Sequence, residues 1–119
     1  DQLASFRPTP DMIGAFVGLD VYLVRPAIRR VDPDFLFIAL NDIAAVRQLK
    51  ASATAGALPR IPKQALDDVL LPLPSMEKQR RIARLGILAA DCERLLRQRL
   101  AAEAKLNAAL ISRLLRTPA

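Results

Sequence analysis

The sequence predicts an α+β chain: a small sheet with short helices, then one long C-terminal helix that projects and packs antiparallel with a partner helix. Three observations carry this. Phe16–Arg25 alternates, with Val17, Leu19, Val21 and Leu23 on one side and Gly18, Asp20 and Tyr22 on the other, the period-two pattern of a half-buried strand. Val69–Leu73 is a short apolar run closed by Pro72 and Pro74, which reads as an edge strand. From Ser75 to about Leu115 there is no proline, and apolar residues recur at helical spacing. The boundary falls between a partial α+β domain over residues 1–75 and a spacer or dimerisation helix over 76–119.

Pro26 ends the first strand, because proline lacks the ladder donor. Residues 26–32 form a charged turn containing Arg29 and Arg30. Asp32-Pro33-Asp34 then opens a helix: Asp32 is a good N-cap, Pro33 suits the first helical position, and Asp34 complements the dipole. Leu36, Ala39, Leu40 and Ile43 keep helical spacing. Asn41-Asp42 breaks or kinks this helix, and a second piece runs to about Lys50. Ser52–Leu58, small and polar with Gly56, is a loop, and Pro62–Leu66 forms one helical turn. Asp67-Asp68, adjacent and without metal-ligand company, reads as a turn before the edge strand.

Ser75 N-caps the last helix, with Glu77 in its first turn; Lys78 at the third position departs from a full capping box. At 1.5 Å per residue, ~40 residues span roughly 60 Å, too long to bury in so small a domain. The apolar stripe is Ile82, Leu85, Ala89, Cys92, Leu96, Leu100, Ala104, Ala108, Ile111 and Leu115. Its mean step of about 3.7 residues is closer to a straight helix than to a 3.5-residue supercoil. Leu88, Leu95, Leu106, Leu110 and Leu114 widen the face, and so broad a stripe needs a partner helix. Cys92, on the stripe, reads as a small buried hydrophobe.

Composition narrows the chemistry. The chain has 119 residues, 52% hydrophobic, no His and one Cys. Without His there is no imidazole general base and no Ser-His or Cys-His pair. One Cys and no His make neither the usual zinc sites nor an intrachain disulfide. No secretory pattern occupies the first twenty residues, and no apolar run reaches the ~18 residues of a membrane span. These features predict a cytoplasmic protein with no cofactor and no membrane partner, and Asp1 in place of Met predicts a chain cut from something longer. The charge is uneven: residues 1–76 hold 8 basic and 8 acidic side chains, whereas residues 77–119 hold 10 basic and 4 acidic, which accounts for the whole net +6. A localised basic face attracts a polyanion, or equally solvates a helix.

The order of these pieces resembles one family. A strand ends in Leu23-Val24-Arg25-Pro26, and Val31-Asp32-Pro33-Asp34-Phe35-Leu36 opens a helix. Ser52-Ala53-Thr54-Ala55-Gly56 forms a loop, and Leu66 leads through a strand into Pro72-Leu73-Pro74. Glu77-Lys78-Gln79-Arg80-Arg81-Ile82-Ala83 then begins the long helix. Over residues 16–115 this looks like the second half of a target-recognition domain, with its spacer helix, in the DNA specificity subunit of a type I restriction–modification system. The most specific element is Pro-x-Pro-x-x-Glu-x-Gln-x-x-Ile at Pro72–Ile82; the N-terminal portion usual in that recognition domain is not seen before the first strand. The resemblance implies a non-catalytic subunit that reads half of a split double-stranded DNA site. It also implies paired long helices and partners of the same system, an adenine methyltransferase subunit and a nuclease or translocase subunit. The chain carries no glycine-rich S-adenosylmethionine loop after a strand and no Asn-Pro-Pro-aromatic site.

Arg29, Arg30, Arg47, Lys50, Arg60 and Lys63 are candidates to line a DNA groove, the alternative being an ordinary solvated surface. Ser52, Thr54, Gly56 and Arg60 make the best reading loop: small residues let backbone approach the duplex, and Arg pairs bidentately with guanine. The same loop also reads as a plain linker. Lys78, Arg80, Arg81 and Arg84 cluster where the positive helix end adds to them, to hold phosphate, meet an acidic partner, or simply face water. Glu77 and Gln79 are structural, through capping and packing. Leu85, Cys92, Leu96, Leu100 and Ile111 are the helix-packing candidates. A competing function is a helix-mediated scaffold that never touches DNA; an enzyme and a membrane-surface helix fit the composition less well.

Overall fold

A computed structural model describes residues 5–54 and 60–118. Its elements are a 3-10 turn at Pro10–Met12 and four α-helices: α1 Pro33–Asn41, α2 Ile43–Ala51, α3 Lys63–Asp68 and α4 Met76–Arg116. No strand occurs among the described residues, which overturns the small sheet and with it the α+β class.

Local sequence accounts for every helix start but one. Asp32 Oδ1 accepts from the N–H groups of Asp34 and Phe35, both at 3.0 Å, and Pro33 takes the first helical position. Asp42 sits in extended backbone between two helices, closing α1 with its N–H and capping α2 through Oδ2 to Ala44 N–H at 3.0 Å. The Asn41-Asp42 break is therefore a shared cap. Ser75 Oγ accepts from Lys78 N–H at 3.4 Å ahead of α4. Pro62 precedes α3 without a side-chain cap. Asp67 and Asp68, expected as a turn, are instead the last residues of α3, where they take Lys63 Nζ at 2.6 Å and Gln64 Nε2 at 2.9–3.0 Å.

Both expected strands fail for want of a backbone neighbour. Within Phe16–Arg25 the alternation is cut by a turn, Val21 N–H donating to Gly18 C=O at 3.2 Å. Phe16 and Leu19 are fully exposed, so no buried face forms. The segment is tethered by side chains: Tyr22 O–H donates to Ile61 C=O at 2.9 Å, and Asp20 pairs with Arg60 at 3.1 Å. The Val69–Leu73 run pairs with one amide group. Gln48, on α2, accepts from Leu70 N–H at 3.0 Å and donates to Leu70 C=O at 3.1 Å, the two bonds a neighbouring strand would have supplied.

Two compact units divide the chain, Asp1–Ala83 and Arg84–Ala119, so the first two turns of α4 belong with the first unit. In that unit Phe35, Ala39 and Ala83 are buried together, flanked by half-buried Val31, Leu71 and Ile82. Ala45, Leu49 and Ala65 are buried as well, and α2 packs on both α1 and α3. The core is small and almost without aromatics, as a composition of 4% Phe, Trp and Tyr requires. In the second unit, the described residues are a single helix in which no side chain is buried. Leu85, Cys92, Leu96, Leu100 and Ile111 are all exposed, and Cys92, expected in an apolar interior, is an exposed free thiol. No helix among the described residues is long and apolar enough to cross a membrane.

Candidate functional site

Gln79 is the organising residue of the first unit, at 1% exposure the most deeply buried side chain of its size. Its Oε1 accepts from Asp32 N–H at 2.9 Å, and its Nε2 donates to Arg30 C=O at 3.0 Å and to Pro74 C=O at 2.8 Å. An isolated capping box would send a Glu or Gln from the third helical position back to the N-cap N–H. In α1 that position is Phe35, whose ring is buried in the core, so the amide comes from α4, 47 positions along the chain. The cap of α1 is completed in trans. The buried polar atoms of Gln79 are all satisfied, and no buried side-chain N or O among the described residues lacks a partner.

This clamp ties the Arg29-Arg30 turn to the first turn of α4, joining two basic segments that lie far apart in sequence. Arg29, Arg30, Lys78, Arg80 and Arg81 are all exposed. Arg81 pairs with Glu77 at 2.9 Å, one turn earlier on the same helix. Arg84, also exposed, begins the second unit.

The neutral charge of the N-terminal half hides an imbalance. Asp32 and Asp42 cap helices, Asp34 pairs with Arg7, Asp20 with Arg60, and Asp67 with Lys63. The Asp67 carboxylate holds the Lys63 ammonium above its ordinary pKa, through the hydrogen bond first and charge attraction second. Arg29, Arg30, Arg47 and Lys50 make no ion pair among the described residues and are exposed. Arg47 and Lys50, three positions apart on α2, share one helix face.

The expected reading loop has a closed neck. Thr54 N–H donates to Arg60 C=O at 3.0 Å, and Arg60 N–H donates back to Thr54 Oγ1 at 3.3 Å. Ser52 closes α2 with its N–H to Leu49 C=O at 3.3 Å. Gly56 lies outside the described residues. Arg60, assigned to base reading, meets Asp20 through a guanidinium that is 71% exposed, a contact water screens strongly. Sequence reasoning missed Gln48 and Tyr22 as tethers, and nothing in the local pattern marks them. It placed Gln79 correctly as a structural residue of the junction, without its partners.

Along α4, Arg94 pairs with Asp91, Arg97 with Glu93 and Arg99 with Glu103, each three or four residues apart. Together with Glu77 these use every acid on the helix, leaving Lys78, Lys105, Arg113 and Arg116 without an ion pair among the described residues. Three or more His, Cys, Asp or Glu side chains nowhere converge as metal ligands among the described residues. The chain matches no family model, no curated protein and no solved structure.

Proposed function

We propose that this chain is the non-catalytic DNA-recognition component of a type I restriction–modification complex. It reads half of a split site and docks the adenine methyltransferase subunit and the nuclease or translocase subunit through its long helix. The observation that carries the reading is the Gln79 clamp. The most specific stretch of the resemblance, Pro72–Ile82, has a physical task here: its glutamine holds the Arg29-Arg30 turn and the α1 cap against the start of a basic helix. Arg29, Arg30, Arg47 and Lys50, exposed and without ion pairs among the described residues, are the phosphate-contact set, and the Thr54–Arg60 loop is the base-reading element.

Salt dependence tests the DNA half of this proposal. If all four cations neutralise phosphates, log K falls against log salt with a slope of about −3.6, a roughly 10²-fold loss between 50 and 200 mM. A duplex affinity indifferent to salt rejects the assignment. Affinity capture of tagged protein from its host, with partners identified by mass spectrometry, tests the assembly half: recovery of an adenine methyltransferase subunit supports it. Clean capture without that subunit favours the second reading, a helix-mediated scaffold. The exposed leucines of α4 are the observation on its side.

A further inference from the structure

Asp20 and Arg60 meet across 40 positions of sequence, and both remain in water. Arg60 Nη2 stands 3.1 Å from Asp20 Oδ1, and each side chain is 71% exposed. The pair is held from the backbone on both sides. Asp20 occupies the third place of the turn that Val21 N–H closes on Gly18 C=O at 3.2 Å. Two residues on, Tyr22 O–H reaches Ile61 C=O at 2.9 Å, so alternate residues of one segment meet consecutive residues of the other. Arg60 is fixed in its turn by two bonds to Thr54, one through its C=O and one through its N–H. The other ion pair between distant segments among the described residues, Arg7 with Asp34, is partly covered and sits at the start of α1. An ion pair as exposed as Asp20–Arg60 adds little to stability.

We infer that Asp20 is a specificity-determining residue, forming with Arg60 a single reader of one G·C base pair in the major groove. The inference rests on the DNA-recognition reading and adds to Arg60 a second residue from outside the loop. Sign and order carry the argument. A guanidinium has five N–H donors, and the contact with Asp20 engages one of its three nitrogens. The second carboxylate oxygen, Oδ2, makes no bond among the described residues. Side by side, the two groups offer donor, donor, acceptor. The major-groove edge of a G·C pair is the complement: guanine N7 and O6 accept, and the cytosine N4 amino group donates. An A·T pair reads acceptor, donor, acceptor, which sets its adenine amino group against the guanidinium and its thymine O4 against the carboxylate. Asp20 thus favours cytosine and disfavours thymine at the paired base. A carboxylate beside a phosphate is repelled, so this charge suits the floor of the groove, where base amino groups stand, and not its rim.

The test incubates the full chain with a pool of duplexes carrying a randomised core and sequences what is bound. The wild type should enrich a G·C pair at one position, and R60A should lose that preference. D20A should admit A·T there: discrimination against it should fall about fivefold or more, with the flanking positions unchanged. Thermal unfolding of D20A should match the wild type, since the pair adds little to the fold. D20R/R60D separates reading from tethering. It rebuilds the ion pair with the two groups exchanged, so a mere tether is rescued and the reader is not. Wild-type selection by D20R/R60D, or a D20A effect spread evenly over every position, would overturn the inference. If D20A and R60A select the same sequences as the wild type, this inference fails and the DNA reading stands. If no sequence is enriched and binding is indifferent to salt, both fail.

Discussion

Replacing Gln79 with Leu keeps nearly the same volume but removes three hydrogen bonds to backbone at once, those to Asp32 N–H, Arg30 C=O and Pro74 C=O. No cavity opens, so the loss is polar. Each such bond contributes about 1 kcal/mol net, and a buried group left unpaired costs about 1–3 kcal/mol. With Gln79 at 1% exposure, water does not easily take over, and the expected loss is about 3 kcal/mol. Against a whole-domain stability of about 5–15 kcal/mol that is a large fraction. Urea unfolding followed by far-UV circular dichroism reads it directly. At an m-value of ~1 kcal/mol per M for a unit of this size, the midpoint of the first transition should fall by about 3 M. A shift below about 0.5 M would refute the view that this amide holds the α1 cap. Q79E sharpens the test. Its carboxylate would face two carbonyl oxygens with no donor to offer, so it should destabilise more than Q79L at neutral pH. Burial raises the pKa of such a carboxyl, so its penalty is smallest at low pH and grows as pH rises through that raised pKa.

Q48A should cost less than Q79L, about 1 kcal/mol, because its two bonds to Leu70 are exposed; amide exchange at Leu70 should speed up, and unchanged protection there would count against the tether. S75A should cost about 0.5 kcal/mol in thermal unfolding, the low end for a cap, since its bond to Lys78 N–H is long at 3.4 Å. Replacing Leu96 and Leu100 together with Asp should abolish self-association by light scattering while the helix signal persists; an unchanged mass would reject the assigned face. Lys63 should titrate by NMR above 10.5, its ordinary value, and D67N should return it there. Because the folded pKa is the raised one, the Lys63–Asp67 contribution is present at neutral pH and is lost as pH climbs through that raised value.

Local chemistry made the helices legible. Asp32-Pro33, Asn41-Asp42 and Ser75 are signals that act within one turn, and each marks a helix start in the structure. The proline-free run after residue 75 gave α4 almost to its last turn. The two strands were misread because a period-two pattern reports only that a chain can be extended and two-faced. A strand also needs a neighbour offering backbone donors and acceptors, and no alternation encodes that. At Leu70 the neighbour is one glutamine side chain; between Gly18 and Val21 it is the chain's own turn. The candidate site was legible as a list of basic residues, but their pairing was not. Lys63 and Arg60 acquire carboxylate partners, one of them 40 positions away, while Arg29, Arg30, Arg47 and Lys50 have none among the described residues. Cys92 and its neighbours on α4, expected to pack, are exposed, because burying them takes a second helix that no pattern within the chain supplies.

The closure of the Thr54–Arg60 neck has a consequence for how such a chain can change over generations. Its hydrogen bonds run through two backbone groups of Arg60 at one end, and a backbone group and the hydroxyl of Thr54 at the other. The neck thus depends on a single side chain, the Thr54 hydroxyl. At position 60 these bonds use only main chain, so any residue but proline, which has no N–H to donate, can stand there and keep them. A lineage can exchange residue 60 in this neck one substitution at a time, provided it keeps one threonine.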